Sequence, residues 1–443
     1  MKLKRIPLLM VLIISLAMIL IACSNEKSDD ESKENEQESD EEDDMQASEA
    51  SDPFTLEIGV HFDEEMFNER FKEPIEEQFD YITVEQVDVF TYGRSDLEEL
   101  FSSGGSPDIF FTLSQSDMEH FKIDQDLDEL LEKHDVDLSH INENLLDTIR
   151  ARDSEGRLLA WPYEDTYYVL LYNKEIFDLL GESYPSDDMT WKETISLASK
   201  MTREIDGVQY RGLDFADDVL LSQFSVNATD PETGDVLIQK EPEFAQYLDL
   251  YKDFIDIPGL FNEDDQIFDN DHRFTSDRNT AMLMVNSQAI TWYDSEDFDD
   301  LDFDIAAVPT WENRPGIAPA GFIQTLTLNP DSDYVDDVIE VFAYLASSEY
   351  QTWMSKNGIG IISDEKEILD EFYKDYEYTH DKNIEAIFKN DTPPPVDTMS
   401  IWDEYVDISV QDFFESDQTD VNTFLRKTAE ESEEKIRQAK ESE

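Results

Sequence analysis

The chain has 443 residues, of which 107 are Asp or Glu and 33 are Lys or Arg, for a formal charge of −74. So negative a surface repels nucleic acid and anionic lipid headgroups, which excludes both as expected partners. Hydrophobic residues make up 40% of the chain, enough for a real core, and the lone cysteine, Cys23, excludes an internal disulfide framework.

The first element is a leader. Lys2, Lys4 and Arg5 precede an apolar run from Leu8 to Ile21, too short and wrongly flanked for an ordinary membrane span. The following Leu20-Ile21-Ala22-Cys23 resembles the lipobox of bacterial lipoproteins. That resemblance implies a signal peptide over 1–22 and acyl chains on Cys23, holding the protein on the outer face of the membrane. Residues 24–52 carry 14 acids against 2 bases and almost no apolar side chain. With Cys23 they read as a disordered, self-repelling tether over 23–52. The acidity continues through the rest of the chain. It suits a saline or alkaline exterior whose counterions screen the surface; selection of a cationic ligand is the alternative.

Order is expected from Phe54. Phe54–Val60 alternates as a strand, and residues 64–79 carry Met66, Phe67, Phe71, Ile75 and Phe79 on one helical stripe. A strand over 82–90, a short helix over 96–101 and an apolar strand over 108–112 follow. This β-α-β-α-β order predicts a parallel, right-handed sheet covered by helices. Further strands are expected at 158–162, 167–172, 289–292, 303–308 and 323–328. Helices are expected at 174–180, 191–201, 242–255, 277–285, 335–346, 348–357, 365–374, 401–414 and 421–441. Thr190, three residues before Glu193, predicts a capping box at the 191–201 helix.

Four segments in order resemble the extracellular solute-binding proteins of ABC importers that take up sugars. They are Gly105-Ser106-Pro107-Asp108-Ile109-Phe110; Gly156 to Tyr163 with Leu171 to Phe177; Met189-Thr190-Trp191-Lys192-Glu193; and Asp304 to Pro309 with Ala320-Gly321-Phe322 and Gly358-Ile359-Gly360. The resemblance implies an α/β, two-lobed periplasmic-binding-protein-like fold, each lobe a mainly parallel sheet flanked by helices, with a hinge between them. By position, lobe one is expected over 54–162 plus 310–345, and lobe two over 163–309 plus 346–443. The implied function is capture of a sugar or oligosaccharide between the lobes by a monomer and delivery to ABC permease subunits, without cofactor or metal. A receptor for a peptide or polyamine is the alternative within binding proteins; a membrane-anchored extracellular hydrolase is the alternative in another class.

A sugar offers C–H faces and hydroxyl edges, so its site needs aromatic surfaces and carboxylates or amides beyond strand ends. The candidates are Phe62 and Asp63 after the first strand, Ser114 and Gln115 after the third, and Tyr163 and Glu164 at the first crossing. Trp292, Tyr293 and Asp294 follow the expected 289–292 strand, Trp311 follows the second crossing, and Gly321 and Phe322 occupy the family's glycine loop. Any one of these aromatics could equally be core packing. Among enzyme signatures, the nucleophile elbow, P-loop, H-E-x-x-H and dinucleotide fingerprint are all missing from the sequence. Asp264 to Asp271 looks like a calcium loop but lacks the glycine and distal Glu of an EF-hand; a solvated acidic loop is the plainer reading. Pro393-Pro394-Pro395 reads as a stiff surface connector.

Overall fold

A computed structural model describes residues 52–261, 266–268, 270–292, 298, 301–416 and 420–442. Cys23 and the tether lie outside the described residues.

Eleven strands are described: β1 (Phe54–Val60), β2 (Ile82–Asp88), β3 (Ile109–Phe111), β4 (Trp161–Asp165), β5 (Tyr168–Asn173), β6 (Arg203–Ile205), β7 (Val208–Tyr210), β8 (Asp214–Phe215), β9 (Met282–Asn286), β10 (Phe303–Ala306) and β11 (Ile323–Leu328). They form a five-stranded sheet ordered β2-β1-β3-β11-β4, a four-stranded sheet ordered β10-β5-β9-β8, and a β6-β7 ribbon. β1 runs parallel to β2 and β3 as expected.

Each large sheet has a single reversed strand. β11 is antiparallel to β3 and β4, and β5 is antiparallel to β9 and β10. These are the two strands that the chain enters directly from the other sheet. The remaining strands end at the edge where the chain crosses, so a strand arriving through that edge must run inward.

Apolar side chains explain the two lobes. In the first, Leu56, Ile58 and Val60 of β1 pack with Phe71, Ile75, Trp161 and Phe342, all buried. Trp161 lies parallel to Phe342 at 5.8 Å between ring centroids. In the second, Trp191, Phe215, Tyr251 and Phe254 fill one cluster and Leu283, Phe303 and Tyr373 another. The capping box of Thr190 and Glu193 is formed. Among the described residues, no helix is long and apolar enough to cross a membrane.

The structure departs from several expectations. Residues 277–285 do not form a helix: Met282–Asn286 is β9, wholly buried, as befits a continuous apolar run without helical period. Residues 289–292 form one helical turn rather than a strand, because the Asn286 side chain accepts from the Gln288 amide at 2.8 Å and turns the chain. The strand expected at 158–162 lies three residues later. β4 stays in the first sheet to Asp165, so the chain crosses at 166–167 and not at 162–163. Helix Ser348–Lys356 buries Tyr350 and Met354 in the first core, so the third crossing follows it instead of preceding 346. Residues 401–414 split into a 3-10 turn, Ile401–Tyr405, and a helix, Val410–Glu415. The 365–374 helix shrinks to Lys366–Leu369.

Candidate functional site

The carboxyl ends of β1 to β4 and the start of β11 form one edge. The carboxyl ends of β8, β9 and β10 and the start of β5 form the facing edge. The chain joins these edges at 166–167, at 307–322 and after Lys356. Ligands of open α/β sheets lie at such edges.

Glu164, at the end of β4, is fully buried. Arg70 Nη1 donates to one oxygen at 2.9 Å, and the Gln288 side-chain amide donates to the other. Arg70 stands in a π-helical turn, Asn68–Lys72, and its carbonyl accepts from the Tyr350 hydroxyl at 2.6 Å. Burial raises the Glu164 pKa, and the Arg70 charge opposes that rise. Next along the chain, Thr166 Oγ1 accepts from Asn286 Nδ2 at 3.0 Å and from the Phe322 amide at 2.8 Å. These contacts tie the first sheet to the end of β9 and the turn that follows it.

A cavity of about 290 Å³ opens between the lobes, lined in part by Asp165, Gly321, Ser225, Asn227, Pro393 and Asp403. This lies near the lower end of the size range of small-molecule sites. Asp165 is buried, and its Oδ1 has no hydrogen-bond partner. Burial pushes its pKa up to about 7, with the Glu164 charge adding to the rise and Arg152 opposing it. Ser225 Oγ is likewise buried without a partner, and its backbone sits in the left-handed region at φ 51°. Gly321 packs tightly on this wall: a Cβ there would meet the Thr166 carbonyl at 1.7 Å and Asp165 Oδ1 at 2.9 Å.

The strap over 392–399 bridges both lobes. Asn144 Nδ2 donates to Thr392 Oγ1 at 2.8 Å, and the Met399 amide donates to the Ala151 carbonyl at 2.7 Å. On the other side, Asn227 Nδ2 donates to the Thr398 carbonyl at 2.9 Å. Pro393-Pro394-Pro395 is therefore a wall of the cavity, with Pro393 buried, rather than a surface connector.

Exposed large apolar residues gather nearby. Of the seven among the described residues, Phe90, Tyr92 and Phe322 lie on the loops that end or enter the facing edges, and Ile401 opens the 3-10 turn after the strap. Phe90 and Tyr92 are 5.6 Å apart between ring centroids, and Thr112, just past β3, partly offsets the burial that raises the Tyr92 pKa. Arg94 Nε donates to Asp117 at 2.7 Å, and Glu404 of the second lobe adds to the field that raises the Arg94 pKa.

The sequence candidates divide. Glu164, Gly321 and Phe322 stand at the crossing edge. Phe62 lies 5.0 Å from Phe111 between centroids and under the Arg70 guanidinium. Asp63 and Ser114 are helix N-caps, accepting from the Met66 and Asp117 amides. Gln115 donates to Glu119 on the surface. Tyr163 and Trp311 are core side chains: Tyr163 bonds Tyr350 at 2.9 Å, and Trp311 packs on Phe224 at 4.7 Å. The Trp292 side chain, Tyr293 and Asp294 lie outside the described residues, as do Asp264, Asp265 and Asp269 of the acidic loop. Among the described residues no cluster of metal-ligating side chains occurs. Tyr92, Ser225, Asn227 and Asp403 were not candidates. Tyr92 follows β2 and could have been found by taking every strand end; the others sit on turns without a strand signal.

Residues 67–352 match the family model described as bacterial extracellular solute-binding protein. The chain belongs to this family. Solved structures agree in fold. An ABC substrate-binding protein from Listeria monocytogenes, in complex with cycloalternan, is 20% identical with a TM-score of 0.66, covering 87% of this chain and 99% of that one. A sugar transporter protein from Rhizobium etli, in an open conformation, is 14% identical with a TM-score of 0.68, covering 86% and 99%. Maltose-bound MalE3 of T. maritima is 17% identical with a TM-score of 0.61, also covering 86% and 99%. No curated protein matches by sequence. As a member of this family it is an extracellular solute-binding protein, a binder rather than an enzyme. Its fold is the periplasmic-binding-protein-like fold, with two mixed sheets flanked by helices.

Proposed function

We propose that this protein captures a sugar or oligosaccharide between its lobes and delivers it to an ABC permease, from a lipid anchor on Cys23. The carrying observation is the pairing of open aromatic faces, Phe90, Tyr92 and Phe322, with a cavity holding two unpartnered buried oxygens. Rings suit the C–H faces of a pyranose, and the oxygens suit its hydroxyls. Neighbours that hold cycloalternan and maltose on the same fold support this reading. Binding is a ligand-biased open–closed equilibrium, since only the closed form touches ligand with both lobes. Titration calorimetry against a glycan panel in ~1 M salt tests it. Saturable binding of a glycan is expected; binding of spermidine or a peptide with no glycan response would replace it. The anchor is tested by Cys23→Ser, which should move the protein from the membrane fraction to the soluble pool.

A further inference from the structure

Two carboxylates line the cavity, and they are in opposite situations. Asp403 is committed to its own lobe: it accepts from the Ala228 amide at 3.0 Å and the Thr229 amide at 2.8 Å, and from the Thr229 hydroxyl at 2.6 Å. Asp165, which lines the cavity, has an idle Oδ1 enclosed beside Gly321. Ser225, across the cavity wall in the second lobe, has an idle hydroxyl. A buried polar atom without a partner costs about 1–3 kcal/mol, so two on one cavity mark a place awaiting a donor. The charge of Asp165 is not idle, because the Arg152 guanidinium acts on it. The site therefore asks for hydrogen-bond donors and not for a counter-charge.

We infer that Asp165 and Ser225 form an acceptor subsite, one half from each lobe, that holds hydroxyls of a neutral ligand and discriminates against ammonium ligands. This rests on the sugar-binding reading and narrows it. Because the halves come from different lobes, the subsite is complete only when the lobes are together. An ammonium group would meet the repulsion of the Arg152 charge, which already acts on the carboxylate.

The test uses Asp165→Asn and Ser225→Ala in the full chain. With the glycan that wild type binds best, Asp165→Asn should weaken binding by ~10-fold or more and Ser225→Ala by ~3-fold or more. Wild type should not respond to spermidine. Unchanged glycan affinity in both variants overturns the subsite while leaving the sugar-binding reading intact; tight spermidine binding also overturns it. Ligand-free melting gives an independent arm. An acceptor awaiting ligand is a burden on the empty protein, so Asp165→Asn should melt at or above the wild-type temperature at about pH 9. A drop of more than ~5 °C would make Asp165 a structural partner of Arg152 and overturn the subsite. If wild type binds no glycan, the sugar reading fails, and the melting arm still decides whether Asp165 is an idle acceptor.

Discussion

Gln288 of the second lobe donates its side-chain amide to Glu164 of the first, and Glu164 holds Arg70 on its other oxygen. A bond to a buried carboxylate contributes about 1.5–3 kcal/mol, and this one exists only while the lobes hold their present arrangement. Gln288→Ala should shift the ligand-free protein toward a more open form. Small-angle scattering should show a larger radius of gyration than wild type, converging on the wild-type value when ligand saturates. Superimposable ligand-free curves would remove Gln288 as a tie between lobes.

Glu164→Ala should act on stability instead. It strands the Arg70 guanidinium, whose side chain is 12% exposed, without its carboxylate. Breaking a buried pair from one side costs about 3–5 kcal/mol. Denaturant unfolding should show that loss, and Glu164→Gln, which keeps an acceptor, should lose less.

Tyr92 and Trp311 should separate binding from packing. Tyr92 is 61% exposed, so Tyr92→Ala should weaken ligand binding by about 1–3 kcal/mol with little change in melting. Trp311 is 3% exposed in the second core, and Trp311→Ala should cost roughly 3–5 kcal/mol of stability. Calorimetry and unfolding on both variants check the pair. A Tyr92→Ala protein with intact affinity would move the ligand away from this edge.

Two buried carboxyls fix a pH dependence. Burial pushes Asp165 to about 7 and Asp214 to about 6. Raised folded values mean that the native state holds these protons when the unfolded chain has released them. Their stabilising contribution is full below about pH 4 and is lost as pH rises through 6 and 7. Stability should fall between about pH 5 and pH 7.5, and Asp165→Asn should flatten part of the fall. A melting temperature that climbs across that interval would contradict this.

Residues 53–443 hold −65 of the −74, and this should make stability rise with ionic strength, since screening relieves repulsion within the folded chain. Melting from low salt to ~1 M should move upward. A flat or falling trend would favour the cationic-ligand explanation of the acidity.

Much of the architecture was legible because the periods are clean. The stripe of Phe67, Phe71 and Ile75 and the alternation in Phe54–Val60 each point to one element and one buried face. Asn173 and Thr190 announce helix starts by chemistry that acts within four residues. The segment from Asp277 to Trp292 was misread because apolar runs buried on both faces carry no period, and the Asn286 turn that ends β9 leaves only a local trace. The cavity was less legible still. Asp165, Ser225, Asn227 and Pro393 are brought together by crossings, and no spacing in the chain encodes which loops a crossing will join.

The reversed strand β11 bears on how the protein is made. It lies between β3 and β4 and is the only partner of β4 among the described residues, yet it follows β4 by more than a hundred residues. A growing chain that stops short of β10 lacks a strand in both large sheets. Neither lobe can close its hydrogen-bond ladder until most of the sequence is available, and pairings of such long sequence separation form slowly. A chain built this way stays loose for longer, which suits passage through a membrane in an unfolded state and folding on the far side.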